Sequence, residues 1–243
     1  MFFEDQSPIE PEALEIKCSG NVCMRKEQFD VHGKKKSIDT AKGISNLHYD
    51  IKKNYFIAEG PGEMSSIFLG SGQGFDKAAQ PNAKANHGEN LNFLGIWFLN
   101  QMQGTLIDHN KKVDIRGKVE AVYCPAVSWD DVVARENFAA ARRTGYLLEC
   151  ERLQIVEVPD PLNMSQSSME LTASTNAIVD GSGIFARAQT IMYNQAQSTV
   201  HMNGNVKLQK WGQTGTIEAE ALMYNTETGS IDFIQTQGLG LGQ

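Results

Sequence analysis

Five histidines, four cysteines, the pair Asp130-Asp131 and the glycine-rich run Gly70-Ser71-Gly72-Gln73-Gly74 are where this sequence could hold a metal, activate a nucleophile or cradle a phosphate. His32, His48, His87, His109 and His201 are scattered, and none has another histidine or a cysteine two or four residues away, so no metal centre is expected. The glycine run lacks the Lys-Ser/Thr of a phosphate-binding loop, and no helix signal follows it. Asp130 or Asp131 reads as a helix cap rather than as half of a carboxylate pair. No serine sits in a nucleophile elbow, and no cysteine has an activating motif around it. Cys18, Cys23, Cys124 and Cys150 show no metal-ligand spacing. Alternation puts Cys18 and Cys23 on opposite faces of a strand. Buried free thiols are the default for the set, with a Cys124–Cys150 bridge open in an oxidising compartment. No catalytic residue, metal or cofactor is predicted.

The elements that position these residues are strands. Four times an alternating apolar/polar segment is centred on a glycine. Ile16, Cys18, Val22 and Met24 surround Gly20, and Val113, Ile115, Val119 and Ala121 surround Gly117. Val200, Met202, Val206 and Leu208 surround Gly204, and a degraded copy places Phe56, Ala58, Gly62 and Met64 around Gly60. Period 2 puts the apolar members on one face, and flanking Arg116, Lys118, Asn203 and Asn205 on the other. A mid-strand glycine implies a bend, or a close approach by backbone or ligand.

A second motif has the form apolar-x-Tyr-Asn/Asp: Leu47 to Asp50, Ile191 to Asn194 and Leu222 to Asn225. An apolar strand returns seven residues after each tyrosine, at Phe56, Val200 and Ile231, and continues to Ala58, Met202 and Phe233. Strand, polar turn and returning strand make a hairpin, with Asn or Asp opening the turn. Gly70–Gly88 reads as a long loop and Asp130–Arg143 as a short peripheral helix ended by Gly145. Pro159-Asp160-Pro161 ends a strand and divides the chain into β units at about 1–158 and 159–243, the second expected to continue the first. The fold class is all-β, antiparallel, a jelly roll or splayed sandwich of repeated hairpins.

The 243 residues carry a formal net charge of −7, which speaks against nucleic acid as partner. No apolar run approaches the ~18 residues of a membrane span. The start, Met1 to Asp5, lacks the basic and apolar regions of a signal peptide and leads almost at once into a strand at Leu14. The natural beginning is therefore expected to be missing.

The stretch Ala188, Ile191, Tyr193, Asn194, Val200, Met202, Gly204, Asn205, Val206, then Ala219, Leu222, Tyr224, Asn225, resembles the OstA-like domain of lipopolysaccharide-transport proteins. Leu14–Met24 and Leu47–Gly62 fit it more loosely. The resemblance implies a splayed β-jelly roll whose interior holds lipid acyl chains and whose copies join edge to edge across the periplasm. It thus implies a periplasmic or cell-envelope protein without enzymatic activity. Its partners would be a lipid or lipopolysaccharide-like amphiphile, and other jelly-roll proteins or a second copy, met through edge strands such as Ser230–Gln237. The groove residues expected on this reading are Ile16, Cys18, Val22, Phe56, Ala58, Val113, Ile115, Val119, Tyr193, Val200, Met202, Val206, Tyr224 and Phe233.

Two other readings compete. In a structural solenoid or closed sandwich the same apolar face is simply core. A carbohydrate-binding sandwich would need a row of exposed aromatics, and Trp97, Trp129 and Trp211 are too scattered to form one.

Overall fold

The computed structural model describes residues 14–69, 91–105, 107, 111–141, 145–159, 167–181 and 183–234. The predicted 70–88 loop lies outside them. Thirteen strands form a single antiparallel sheet. They are β1 (Glu15–Phe29), β2 (Lys35–Asp50), β3 (Tyr55–Glu59), β4 (Gly62–Leu69), β5 (Leu91–Phe98), β6 (Gln101–Thr105) and β7 (Lys112–Ala126). There follow β8 (Tyr146–Pro159), β9 (Ser167–Gly181), β10 (Ile184–Asn194), β11 (Thr199–Lys210), β12 (Ile217–Asn225) and β13 (Ile231–Phe233). No helix among the described residues is long and apolar enough to cross a membrane.

Hydrogen bonding joins β7, β5, β4, β2, β3 and β6 into a closed cycle of six strands. Register explains the cycle. Ser37 pairs Phe68 on β4 and Asn46 pairs Glu59 on β3, and the two residue numbers add to 105 in both cases. The β5 and β6 pairings with β7 share one register in the same way, Phe98 with Val119 and Gln101 with Arg116. So β3 and β4 are two halves of one long strand, as are β5 and β6. The chain runs up and down as a meander in which most strands are long and carry a break near the middle.

These breaks align across the sheet. Register slips between Arg116 and Val119 where β7 meets β8, and between Glu149 and Arg152 where β8 meets β9. It slips again between Arg187 and Thr190 on β10, and between Asn203 and Val206 on β11. The Gly60–Pro61 and Leu99–Asn100 interruptions lie on the same line, joined by the Gly60 amide donating to the Asn100 carbonyl at 2.6 Å. At Gly117 and Gly204 the backbone turns left-handed, at φ +77° and +78°, and stays so at Lys118 and Asn205. Glycine adopts that conformation without a Cβ penalty, and asparagine tolerates it better than most residues. Each pair is a bulge that bends its strand. The glycine-centred repeat read from the sequence is therefore a crease.

Folding along the crease gives two layers. Layer A holds β3, β6, β13 and the halves of the long strands on their side, including 46–50, 112–116, 152–158, 190–194, 199–203 and 221–225. Layer B holds β4, β5 and the other halves, including 37–42, 119–126, 146–149, 177–181, 184–188 and 206–210. The main core joins them, with Phe56, Met102, Ile115, Leu153, Met202 and Leu222 from layer A. Phe98, Val119, Ala186, Val206 and Leu208 meet them from layer B. The β8–β9 ladder crosses the 158/159 boundary along its whole length.

The hairpin motif is built as the sequence suggests. Asn194 Oδ1 accepts from the Gln197 amide at 3.0 Å, Asn225 Oδ1 from Glu227 and Thr228, and Asp50 Oδ1 from Lys53. The predicted 130–143 helix is much shorter than expected: a 3-10 turn at Arg135–Asn137 and one α turn, α1 (Phe138–Ala141). Asp131 caps no helix. Its Oδ2 instead accepts from the Val127 amide at 2.9 Å and closes the preceding turn.

Candidate functional site

Alternation along β10 and β11 points Ile191, Tyr193, Val200 and Met202 into the space between the layers. Layer A adds Leu153, Ile155, Leu171 and Ala173, and layer B supplies Leu94, Ile96, Ala121, Leu148, Val179 and Ile184. Together they line a narrow cleft with a cavity volume of about 100 Å³. Its walls are almost wholly apolar. Tyr123, Tyr146 and Tyr193 also line it, near the ends of β7, β8 and β10 that lie away from the crease. Carbon walls of this kind offer dispersion and burial to an apolar guest.

The sequence-derived groove residues fall into three sets. Tyr193, Val200 and Met202 line the cleft. Val22, Phe56, Ala58, Ile115, Val119 and Val206 are buried in the same core, while Cys18, Val113 and Tyr224 are partly buried against it. Ile16 and Phe233, expected to face inward under cover, are instead 45% and 62% exposed. Each is on the inner side of its strand, since Ile16 pairs with Tyr49 and Phe233 with the buried Leu222. They are bare because, among the described residues, β1 and β13 are the outermost strands and no further strand continues the opposite layer over them. The outward expectation holds for Arg116, Lys118, Asn203 and Asn205, all exposed.

The sequence reading missed a second core. Ile67, Leu91, Phe93, Val122, Cys124, Phe138 and Leu147 form an apolar cluster on the outer face of layer B. Segment 127–141 covers it. Arg135 pins that segment down, with Nε and Nη2 each donating to the Glu120 carboxylate at 2.9 Å and its Cζ 3.4 Å from the Trp97 ring centre. The hydrogen bond from Arg135, outweighing burial, holds the Glu120 carboxyl below its usual range. The signal for this cluster was present. Leu91–Phe98 is apolar at both parities, the pattern of a strand covered on both faces.

The cysteines are free. Cys124 belongs to the outer cluster and Cys150 to the inner core, so the sheet itself separates them. Burial pushes the two thiols up, Cys124 to about 11 and Cys150 to about 12. No group of three metal-ligating side chains occurs among the described residues.

Residues 131–230 match the family described as LptA/(LptD N-terminal domain) LPS transport protein. The match spans the clasp over the outer cluster, β8 to β12 and most of the cleft lining, and it bears out the OstA-like resemblance. No curated protein and no solved structure is significantly similar to the chain.

Proposed function

We propose that this protein is a cell-envelope carrier without enzymatic activity, holding acyl chains of a lipopolysaccharide-like amphiphile between the two layers of an OstA-like β-jelly roll. The observation that carries this reading is the apolar cleft between layers A and B, lined by Ile191, Tyr193, Val200 and Met202 within the family-matched residues. A fully packed sandwich would fill that space with side chains. The cleft is narrow, so an acyl chain enters by moving the layers apart along the margin opposite the crease. Of the predicted groove residues, Tyr193, Val200 and Met202 lie on the cleft wall and support this reading.

On this reading the ends of the sheet serve assembly. At the first edge, inner-side Leu14, Ile16 and Met24 are exposed beside the β1 edge, which pairs with no second strand among the described residues, and at the other Phe233 is exposed on β13. Such edges recruit a strand of matching pattern. The partner is another jelly-roll protein or a second copy, which continues the inner wall over the bare residues.

The test is photo-crosslinking from Met202 and from Asn203, its outward neighbour, in envelope extract, with mass spectrometry of lipid carried by the native protein. Lipid adducts from Met202 but not from Asn203 support the proposal. Equal or absent labelling removes it.

A further inference from the structure

The inner face of β11 does not end as it begins. Val200, Met202, Val206 and Leu208 are buried, and the next inward position is Lys210, partly buried. Its neighbour across the ladder is Ile184, which lines the cleft. Lys207, in contrast, is on the outer side and pairs there with Glu218 at 2.9 Å.

Lys210 stands at the free margin of layer B, next to the turn that leads into β12. Its ammonium donates to the carbonyl of Gly229 at 2.8 Å. Gly229 lies in the turn between β12 and β13, at the free margin of layer A. That turn also holds Thr226, part of the cleft wall. The ammonium also sits 5.9 Å from the ring centre of Tyr224, an inward residue of layer A. One lysine thus ties the two margins together beside the cleft, while its alkyl stem extends the apolar wall.

We propose that Lys210 is a latch that also reads the ligand: it closes the mouth onto Gly229 when the cleft is empty and turns to an anionic headgroup when an acyl chain enters. This rests on the lipid reading above and adds to it the residue that selects the head. The neutral carbonyl is a weaker partner for an ammonium than a phosphate oxygen, because the charged pair forms the stronger hydrogen bond. Exchange of one for the other therefore favours anionic amphiphiles without adding a second cation. The position suits it, since a tail among Ile184, Val200 and Met202 leaves its head at this margin.

The experiment compares dodecyl phosphate with dodecyl maltoside, equal in chain and different in charge, each below its micelle concentration. Wild-type protein, Lys210→Met and Lys210→Arg are titrated calorimetrically after their melting curves are shown to coincide. Wild type is expected to prefer the phosphate by about tenfold, the scale of one charge-assisted hydrogen bond. Lys210→Met should lose that preference and bind the maltoside at least as tightly, since the latch is gone, and Lys210→Arg should keep it. Equal affinities in wild type, or a preference that survives Lys210→Met, overturn the latch and leave the cleft as a lipid site. Failure of wild type to bind either amphiphile overturns both.

Discussion

A Cβ built on Gly204 would lie 2.7 Å from the Cβ of Gln189 on the neighbouring strand. Both residues sit on the crease, where β10 and β11 slip register together. Gly204→Leu therefore combines a left-handed backbone with a steric overlap, and neither involves the cleft. The variant should lose about 2–4 kcal/mol, adding ~1–2 for the strained backbone to ~1–2 for the overlap. A thermal melt checks it. A melting temperature within a degree of wild type would mean that the crease does not depend on this glycine.

The glycine repeats were legible as strands with a special centre, but the crease itself was not. Its other members carry no common residue: Leu99-Asn100, Cys150-Glu151 and Thr175-Asn176 occupy the same line as Gly117 and Gly204. At Gly117 and Gly204 an added Cβ would meet Asn100 and Gln189, whereas at Gly20 it would meet nothing and only the left-handed backbone favours glycine. Facing was legible wherever both layers exist, as at Ile115 and Met202. Cover was not, because the exposure of Ile16 depends on which strands end the sheet. The helix was overread from its alanines; without an apolar stripe, Phe138 is its one buried residue, with Ala141 packed beside it against the outer cluster.

Arg135 and Phe138 hold segment 127–141 against the outer cluster. Phe138 is 2% exposed, so Phe138→Ala should cost about 3–5 kcal/mol, the usual range for a buried aromatic. Arg135→Ala removes a partly exposed ion pair together with the stack on Trp97, and should cost about 1–2 kcal/mol. Limited proteolysis discriminates local from global loss. Early cleavage within 127–145, with the rest of the sheet intact, is the expected result for Arg135→Ala.

Acid should weaken the fold at two carboxylates. Burial raises the Asp114 pKa, but hydrogen bonds from Arg116 and Arg152 outweigh it, and the net value lies below the ordinary 3.8. Glu120 lies below 4.5 for the reason given above. A carboxylate depressed in the folded state contributes stability in full above its unfolded pKa and loses it as pH falls through the folded value. Denaturant melts should therefore be flat near neutrality and fall below the ordinary carboxylate range. Asp114→Asn should show a shallower acid slope than wild type. Parallel slopes would remove Asp114 from the account.

Thiol labelling should divide the cysteines by the face and depth they occupy. Cys23 is exposed and Cys18 half-buried, whereas Cys124 and Cys150 are buried with raised pKa values. Because the thiolate is the nucleophile, the last two should stay unmodified by maleimide in native protein at pH 8 and react only after unfolding. Mass spectrometry counts the adducts, and non-reducing gels should show no internal bridge. A Cys124–Cys150 disulfide in the native protein would contradict the placement of the two residues on opposite faces.

The cleft separates itself from ordinary core through Ala173, buried on β9 and directed into the free space. Its partners across the sheet are Leu153 and Ile191, both of which line the same cleft. A Phe there extends into space no side chain occupies, so Ala173→Phe should leave stability within about 1 kcal/mol of wild type, or raise it. Where a core is already packed, the same enlargement costs about 1–3 kcal/mol. Uptake of dodecyl maltoside should fall sharply in this variant, while Gly204→Leu, once folded at low temperature, should still take it up. Stability and binding therefore move in opposite senses in the two variants. A strongly destabilised Ala173→Phe that binds as wild type does would show that the interior is filled core and that acyl chains lie elsewhere.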